Sequence, residues 1–449
     1  MSSTTAQSKR DLTKGSIIRH VMRMAVPMAI GIGAIISFSI ADTYFIGQLG
    51  ATELAAISFT MPVTTLFFNI LFGLAIAMSA TVSRKIGAGL RDEVKMVATI
   101  GIMMAVILSS ILAIMGYIFL EPVFRGLGAD DTTMPFIREY MPIWLIGSVF
   151  LAVPVVANSA IRGNGDAFWP AVIMVTVAVI NIILDPLLIF GLFGFPELGF
   201  KGAAVASLSA YFISMCLAMI ILCVREKLFS PSYILQKSAW VFAAKALLVI
   251  AIPVSIANMI APIVTYGYTA ILSDIGNAAV AGYGIASRFE AFALIPIMAL
   301  AGGIAPLVGQ NFGAGNQDRL SSALRIALIF SVGYGLFCAA VFYMLAPYLA
   351  APFSDDKNVI GVAKSYLMFV PLSYIGLNIF AVLTSMMNAT AMPKQALTLN
   401  ILKSFGMAMP LAYVMTNAYA IDGFIGSVII TNMVGMALCF IYMKRIRCT

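Results

Sequence analysis

Charge is what this sequence has least of. Only 10% of its 449 residues are Asp, Glu, Lys or Arg, against 61% hydrophobic, and the mean hydropathy is +1.00. Soluble domains carry about 25% charged residues. A chain this poor in polar side chains could not cover a globule in water, so a soluble structural protein is excluded. There is one histidine, His20, set among basic residues at the edge of the first apolar run. Histidine-based acid–base or metal chemistry therefore has nowhere to reside inside the apolar runs, which argues against an enzyme. No Gly-rich loop ends in Lys-Ser or Lys-Thr, so ATP is not the expected energy source and no cofactor is implied. The five cysteines show no CxxC spacing and mostly lie within apolar runs; they read as packing residues.

What is present is a series of long apolar runs separated by short polar breaks. They lie near 17–49, 53–83, 96–119, 132–157, 168–194, 202–224, 240–273, 278–309, 321–350, 359–387, 394–419 and 423–443. Runs of 18 or more residues read as transmembrane helices, whereas β-barrel strands are shorter and polar on one face. The fold class is therefore all-α and integral to the membrane, with twelve transmembrane helices. The first run is too long for a signal peptide and is expected to stay as the first helix.

Loop charges set the orientation. With the N-terminus inside, 21 of the 27 basic residues, Lys403 among them, fall on the inner side. Only Arg125, Arg138, Lys201, Lys357 and Lys364 fall outside, and Arg288 falls within a span. The positive-inside rule then predicts a multi-pass protein of the inner (plasma) membrane with both termini cytoplasmic. The net charge of +8 needs no nucleic acid, because basic loops at an anionic inner leaflet account for it. The lipid bilayer is the expected surrounding.

The chain is also a duplicate of itself. A shift of 226 residues aligns Pro27 with Pro253, Gly50 with Gly276, and Gly87, Ala88, Gly89 and Asp92 with Gly313, Ala314, Gly315 and Asp318. Each half holds six spans, an even number, so the copies point the same way and form two six-helix lobes related by a parallel pseudo-two-fold axis. The expected organisation is an N-terminal segment (1–16), an N-lobe (17–224), an interlobe loop (225–239) and a C-lobe (240–449). One chain holds both lobes, so a functional monomer is expected, and such a plan suits alternating access.

Three acids lie well inside apolar runs: Asp42, Asp185 and Glu290. The repeat does not preserve the first two, since Asp42 aligns with Tyr268 and Asp185 with Leu411. An intramembrane charge costs roughly 2.5–3.5 kcal/mol on insertion scales, so it needs a partner, a proton or a watery cavity. Asn181 and Asp185 are four residues apart and share a helical face. Pro186 cannot donate to the carbonyl of Ile182. Carboxylates, an amide and loose carbonyls are oxygen ligands for a hard cation such as sodium at Asp42, Asn181 and Asp185; carboxylates in apolar surroundings could equally carry protons. Arg288 is two residues from Glu290, which suggests a gating or structural ion pair. Pro27 leaves the Arg23 carbonyl without its helical donor and marks a hinge in the long first span.

The stretches "ADTYFIGQLGATELAA", "NIILDPLLIFG" and "GQNFGAGN" closely resemble the multidrug and toxic compound extrusion (MATE) family, and "SRFE" resembles its DinF-like branch. The resemblance covers nearly the whole chain. It implies a coupling-cation site in the N-lobe formed by Asp42, Asn181, Asp185, Asn158 and Ser207, with Tyr140 facing the same cavity. It further implies efflux of amphipathic or cationic drugs in antiport with H+ or Na+. The alternative is a lipid-linked precursor flippase of the same superfamily. Basic residues lining the cavity would favour that alternative, and Arg288 is the one intramembrane base that hydropathy reveals. A major-facilitator transporter is disfavoured because its D-R-x-G-R-R-type loop is missing from "SRKIGAGLRDE".

Overall fold

The computed structural model describes residues 11–447, with side chains described through Tyr442. Residues 1–10, which make up most of the N-terminal segment and include Lys9 and Arg10, lie outside the described residues. So do Cys448 and the side chains of Lys444, Arg445 and Arg447.

Apolar runs become helices because backbone groups in lipid have no water to bond and must pair within their own segment. The resulting spans are α1 (Ile17–Gly47), α2 (Ala51–Gly87), α3 (Arg91–Ile118), α4 (Met134–Gly163), α5 (Phe168–Phe190), α6 (Phe200–Arg225), α7 (Lys237–Ser273), α8 (Asn277–Gly313), α9 (Gln317–Phe353) and α10 (Lys357–Ala389). A last apolar stretch, Pro393–Tyr442, is helical over 50 residues. Its backbone reverses at Tyr419 and Ala420, the latter with φ 50° and ψ −131°. A side chain on Gly423 would overlap the Met415 carbonyl, so the legs on either side of the turn fold back on each other. They are the eleventh and twelfth crossings, α11 (393–418) and α12 (421–442). No strand occurs among the described residues.

The repeat seen in the sequence recurs in space. Gly89 and Gly315, equivalent under the 226-residue shift, close α2 and α8 with φ 77° and 73°, a left-handed conformation that glycine adopts freely. At the face of the bundle that carries the N-terminal segment (the basal face), the ends of α2 and α8 meet without intervening side chains. A Cβ on Gly87 would overlap the backbone of Gln310, and one on Gly313 would overlap the backbone of Arg84. Arg84 and Gln310 are themselves equivalent, so the contact is reciprocal. Between them Gly309 abuts Ser83, again an equivalent pair. Small residues at helix interfaces permit this close approach, and any Cβ here would force the lobes apart.

The polar segment just before α1 completes the basal seal. Leu12 is fully buried; its N–H donates to Gln310 Oε1 at 3.1 Å, and its carbonyl accepts from Asn311 Nδ2 and Arg319 Nη2, both at 3.1 Å. Gln310 in turn donates to the Gly163 carbonyl at 3.0 Å, joining α8 to α4. The apolar cores cross the sequence boundary in the same reciprocal way. Val21 of α1 belongs to the core of the C-terminal half, with Leu300, Ile304 and Leu383. Its equivalent, Leu247 of α7, belongs to the core of the N-terminal half, with Leu74, Val97 and Ile100.

Candidate functional site

α1 and α5 run in the same direction and pack against one another. Phe45 and Phe190 meet edge to face, 6.4 Å apart, near their distal ends. Asp42 lies three residues before Phe45 and Asp185 five before Phe190, so the two carboxylates sit within about 3 Å of the same height. Each acts electrostatically on the hydroxyls of both Tyr140 from α4 and Tyr211 from α6. Two acids and two tyrosines from four helices thus surround one locus. Tyr140 is fixed there by Phe200, whose ring centre is 5.2 Å away.

Asp185 and Asn181 are fully buried and Ser207 nearly so. The Asn181 amide satisfies its neighbours in one orientation: its NH2 donates to Asp185 Oδ2 at 2.7 Å, and its oxygen accepts from Ser207 Oγ at 3.1 Å and Ser207 N at 3.2 Å. The i, i+4 spacing on α5 makes the first contact and α6 supplies the second. The other carboxylate oxygens, Asp42 Oδ1 and Asp185 Oδ1, are buried with no hydrogen-bond partner. A buried acceptor without a donor is costly, so both oxygens are poised to take up a proton or a cation. No cluster of three or more His, Cys, Asp or Glu that could hold a metal occurs among the described residues.

Among the described residues no hydrogen bond joins Asn158, also expected here, to either acid. Leu151 of α4 packs with Val177 of α5 and Tyr211 of α6. Asn158 lies seven residues beyond Leu151, about 10 Å further along α4 toward the basal end. It is buried, and its Oδ1 has no partner. Pro27 lies inside α1, which continues through it from Ile17 to Gly47. Close by, Gly31 lets α1 approach Ala171 and Met174 of α5.

The C-terminal half carries different chemistry at the equivalent place. Tyr268, the counterpart of Asp42, packs on Phe424 at 5.1 Å and on Tyr283 at 6.5 Å. Glu290 accepts from the Tyr366 hydroxyl at 3.0 Å. The ion pair expected between Arg288 and Glu290 is not formed among the described residues: Arg288 is exposed while Glu290 turns inward toward Tyr366. The base that acts on Glu290 is Lys403 of α11. Lys403 lies in a π-helical stretch, Leu402–Ala408, and its Nζ stands 4.5 Å from the Phe380 ring centre. Its stem lies against Gly435 of α12.

Lys403, counted on the inner side from loop charge, thus lies inside a helix, in the stretch Pro393–Tyr442. The available signal was its place in the chain, ten residues or about 15 Å into the apolar run that begins at Pro393. Arg288 is accordingly not the only basic side chain within a span.

The MatE family model matches residues 27–187 and 253–414, two segments whose starts differ by the same 226 residues as the internal repeat. An FAD transporter of Shewanella oneidensis is 33% identical over 98% of this chain and 97% of its own length. The multidrug export protein MepA of Staphylococcus saprophyticus is 27% identical over 97% of this chain and 96% of its own. The crystal structure of the Vibrio cholerae MATE transporter VcmN in its bent form matches with a TM-score of 0.90 and 30% identity, covering 99% of this chain and 98% of that one.

Proposed function

Because the chain belongs to the MATE family, we propose that it exports small organic compounds in exchange for protons, with Asp42 and Asp185 as the coupling groups. Members of this family are multi-pass membrane transporters and not enzymes, and the chain is one of them. The observation that carries the proton reading is how the site's oxygens are used. The Asn181 oxygen is engaged by Ser207, leaving one oxygen on each carboxylate without a partner. Two separate carboxylate oxygens suit protons. A hard cation collects six or so oxygens and would have to break the Asn181–Ser207 contacts to do so.

The basal face is the cytoplasmic one, from the bias of basic residues. Two adjacent ionised carboxylates repel each other, and protonation removes that repulsion. α1 can then close toward α5 around Gly31, bending at Pro27 where the Arg23 carbonyl has no helical donor. Narrowing of the N-lobe drives the compound outward. The requirement is that the protons bind the two access states with different affinity. Efflux of a fluorescent cationic dye from proteoliposomes, under a proton gradient and then a sodium gradient, tests the reading. Dye movement under sodium alone would sink it.

Lys403 favours a second reading of the substrate class. A lysine within a span, beside Phe380, offers charge and an aromatic face to a planar anionic compound. The relative named as an FAD transporter is of interest here, since FAD is aromatic and carries a diphosphate. Competition between the cationic dye and FAD in the same vesicles separates the two classes. A lipid-linked diphosphate is a third competitor for the same lysine.

A further inference from the structure

Outside the transport path, α7 carries a surface with two chemically distinct halves. At its basal end, a groove of about 790 Å³ is lined by Lys237, Lys245 and Lys85, with Val241 and Phe242 between them. Residues 237, 241 and 245 recur every four positions and so lie along one face of the helix. Lys85 comes from the last turn of α2, stands 4.5 Å from the Phe242 ring centre and pairs with Glu93. Lys237 and Lys245 are exposed and have no carboxylate partner among the described residues.

Further along α7 lies a second groove of about 410 Å³, formed with α2 and α3. Its walls are apolar: Ile70, Leu74, Ile107, Ile252 and Ile256, with Ser255 the sole polar side chain. Trp240, at the junction, donates its indole N–H to the Ile234 carbonyl at 2.8 Å, a ring with one end in the apolar groove and the other at the polar loop. The exposed side chains of Val241, Lys245, Leu248, Ile252 and Ile256 make a continuous stripe between the two. Lys237 to Lys245 spans about 12 Å and Lys245 to Ile256 about 16 Å. The second length matches one leaflet of a 30 Å hydrocarbon core, and the first reaches from there through the headgroup layer toward water.

We propose that this surface is a binding site for an anionic glycerophospholipid of the leaflet at the basal face. Its phosphate sits between Lys237 and Lys245 while an acyl chain occupies the apolar groove. The basic half matches the charge of such a headgroup, and the apolar half explains why a free anion would not suffice. The proposal is independent of the export reading.

The experiment uses the purified full-length chain in neutral detergent, following thermal stability and native mass spectra. The additions are phosphatidylglycerol, phosphatidylcholine, inorganic phosphate and glycerophosphoglycerol, the headgroup without chains. Phosphatidylglycerol is expected to raise the melting temperature and persist as a bound species, while the other three do neither. Lys237→Gln and Lys245→Gln should each weaken phosphatidylglycerol binding roughly fivefold, and the effects should multiply. Both side chains are exposed, so both variants fold. Equal binding of phosphatidylcholine would overturn the proposal. So would equal stabilisation by phosphate or by the bare headgroup, or unchanged lipid binding in the double variant.

Discussion

Replacing Asp185 by Asn separates folding from coupling at this site. In the native arrangement Asp185 Oδ2 accepts from Asn181 at 2.7 Å and Oδ1 has no partner. An amide at position 185 can keep its oxygen toward the Asn181 NH2, and its own NH2 then occupies the place of the unpartnered oxygen. At most one hydrogen bond is exchanged, about 1 kcal/mol. In a chain this long that shifts the melting temperature by no more than about 2–4 °C. Proton coupling, in contrast, loses one of its two carboxyls outright. A gradient of one pH unit supplies about 1.4 kcal/mol per proton, so each proton translocated supports about a tenfold substrate gradient. Two-proton coupling would support about a hundredfold gradient and the variant at most a tenfold one. The assay is steady-state dye accumulation ratio in proteoliposomes across an imposed pH step, with a melting curve on the same preparation. Wild-type accumulation by a stable Asp185→Asn protein would refute the coupling role. A collapse of stability would refute the claim that the local geometry tolerates an amide.

Other outcomes follow from the same structure. Asp42→Asn removes the other unpartnered carboxylate oxygen and should likewise hold pH-driven accumulation to at most about tenfold, while leaving substrate binding measurable by fluorescence quenching. Gly313→Val inserts a side chain against the Arg84 backbone; overpacking of this kind costs about 1–3 kcal/mol, seen as a lower melting temperature and as labelling of the basal cleft by a membrane-impermeant reagent. Arg319→Ala removes donors to the Leu12 and Gly15 carbonyls at 3.1 and 2.9 Å, so protease should clip the segment before α1 faster than in wild type. Hydrogen bonds from Thr132 and Thr133 hold the carboxyl of Asp130, in the distal loop, at about 2. A depressed carboxyl stabilises the loop above its unfolded value and loses that contribution only as pH falls through about 2. Asp130→Asn should therefore leave the pH profile of transport between 5 and 8 superimposable on wild type.

Hydropathy and a shifted self-alignment were enough to place twelve spans, two equivalent halves and the unequal acids of the N-terminal half. These are properties of one-dimensional order. A span needs about 20 apolar residues wherever it ends up packing, and an acid inside one is conspicuous without a neighbour to explain it. Asn181 and Asp185 could be paired from sequence because an i, i+4 contact is local to one helix. Ser207 and Tyr140 entered only through a family resemblance, since nothing local ties them to α5.

What the tertiary structure decided are the contacts between helices and the depth at which each residue lies. Asn158 and Asp185 are both buried, yet among the described residues no hydrogen bond joins them. Glu290 has an arginine two residues away in sequence but turns to Tyr366 and toward Lys403, more than a hundred residues on. Residues two apart on a helix point in different directions. The reciprocal seal of Gly87 on Gln310 and Gly313 on Arg84 depends on two helices from different halves meeting at one axis. The sequence alone determined how many helices cross and that Asp42, Asp185 and Glu290 lie within them, because the cost of transferring a residue into lipid depends on that residue. Which of those charges meet was settled only by packing, because partners are chosen by the crossing of helices distant in the chain.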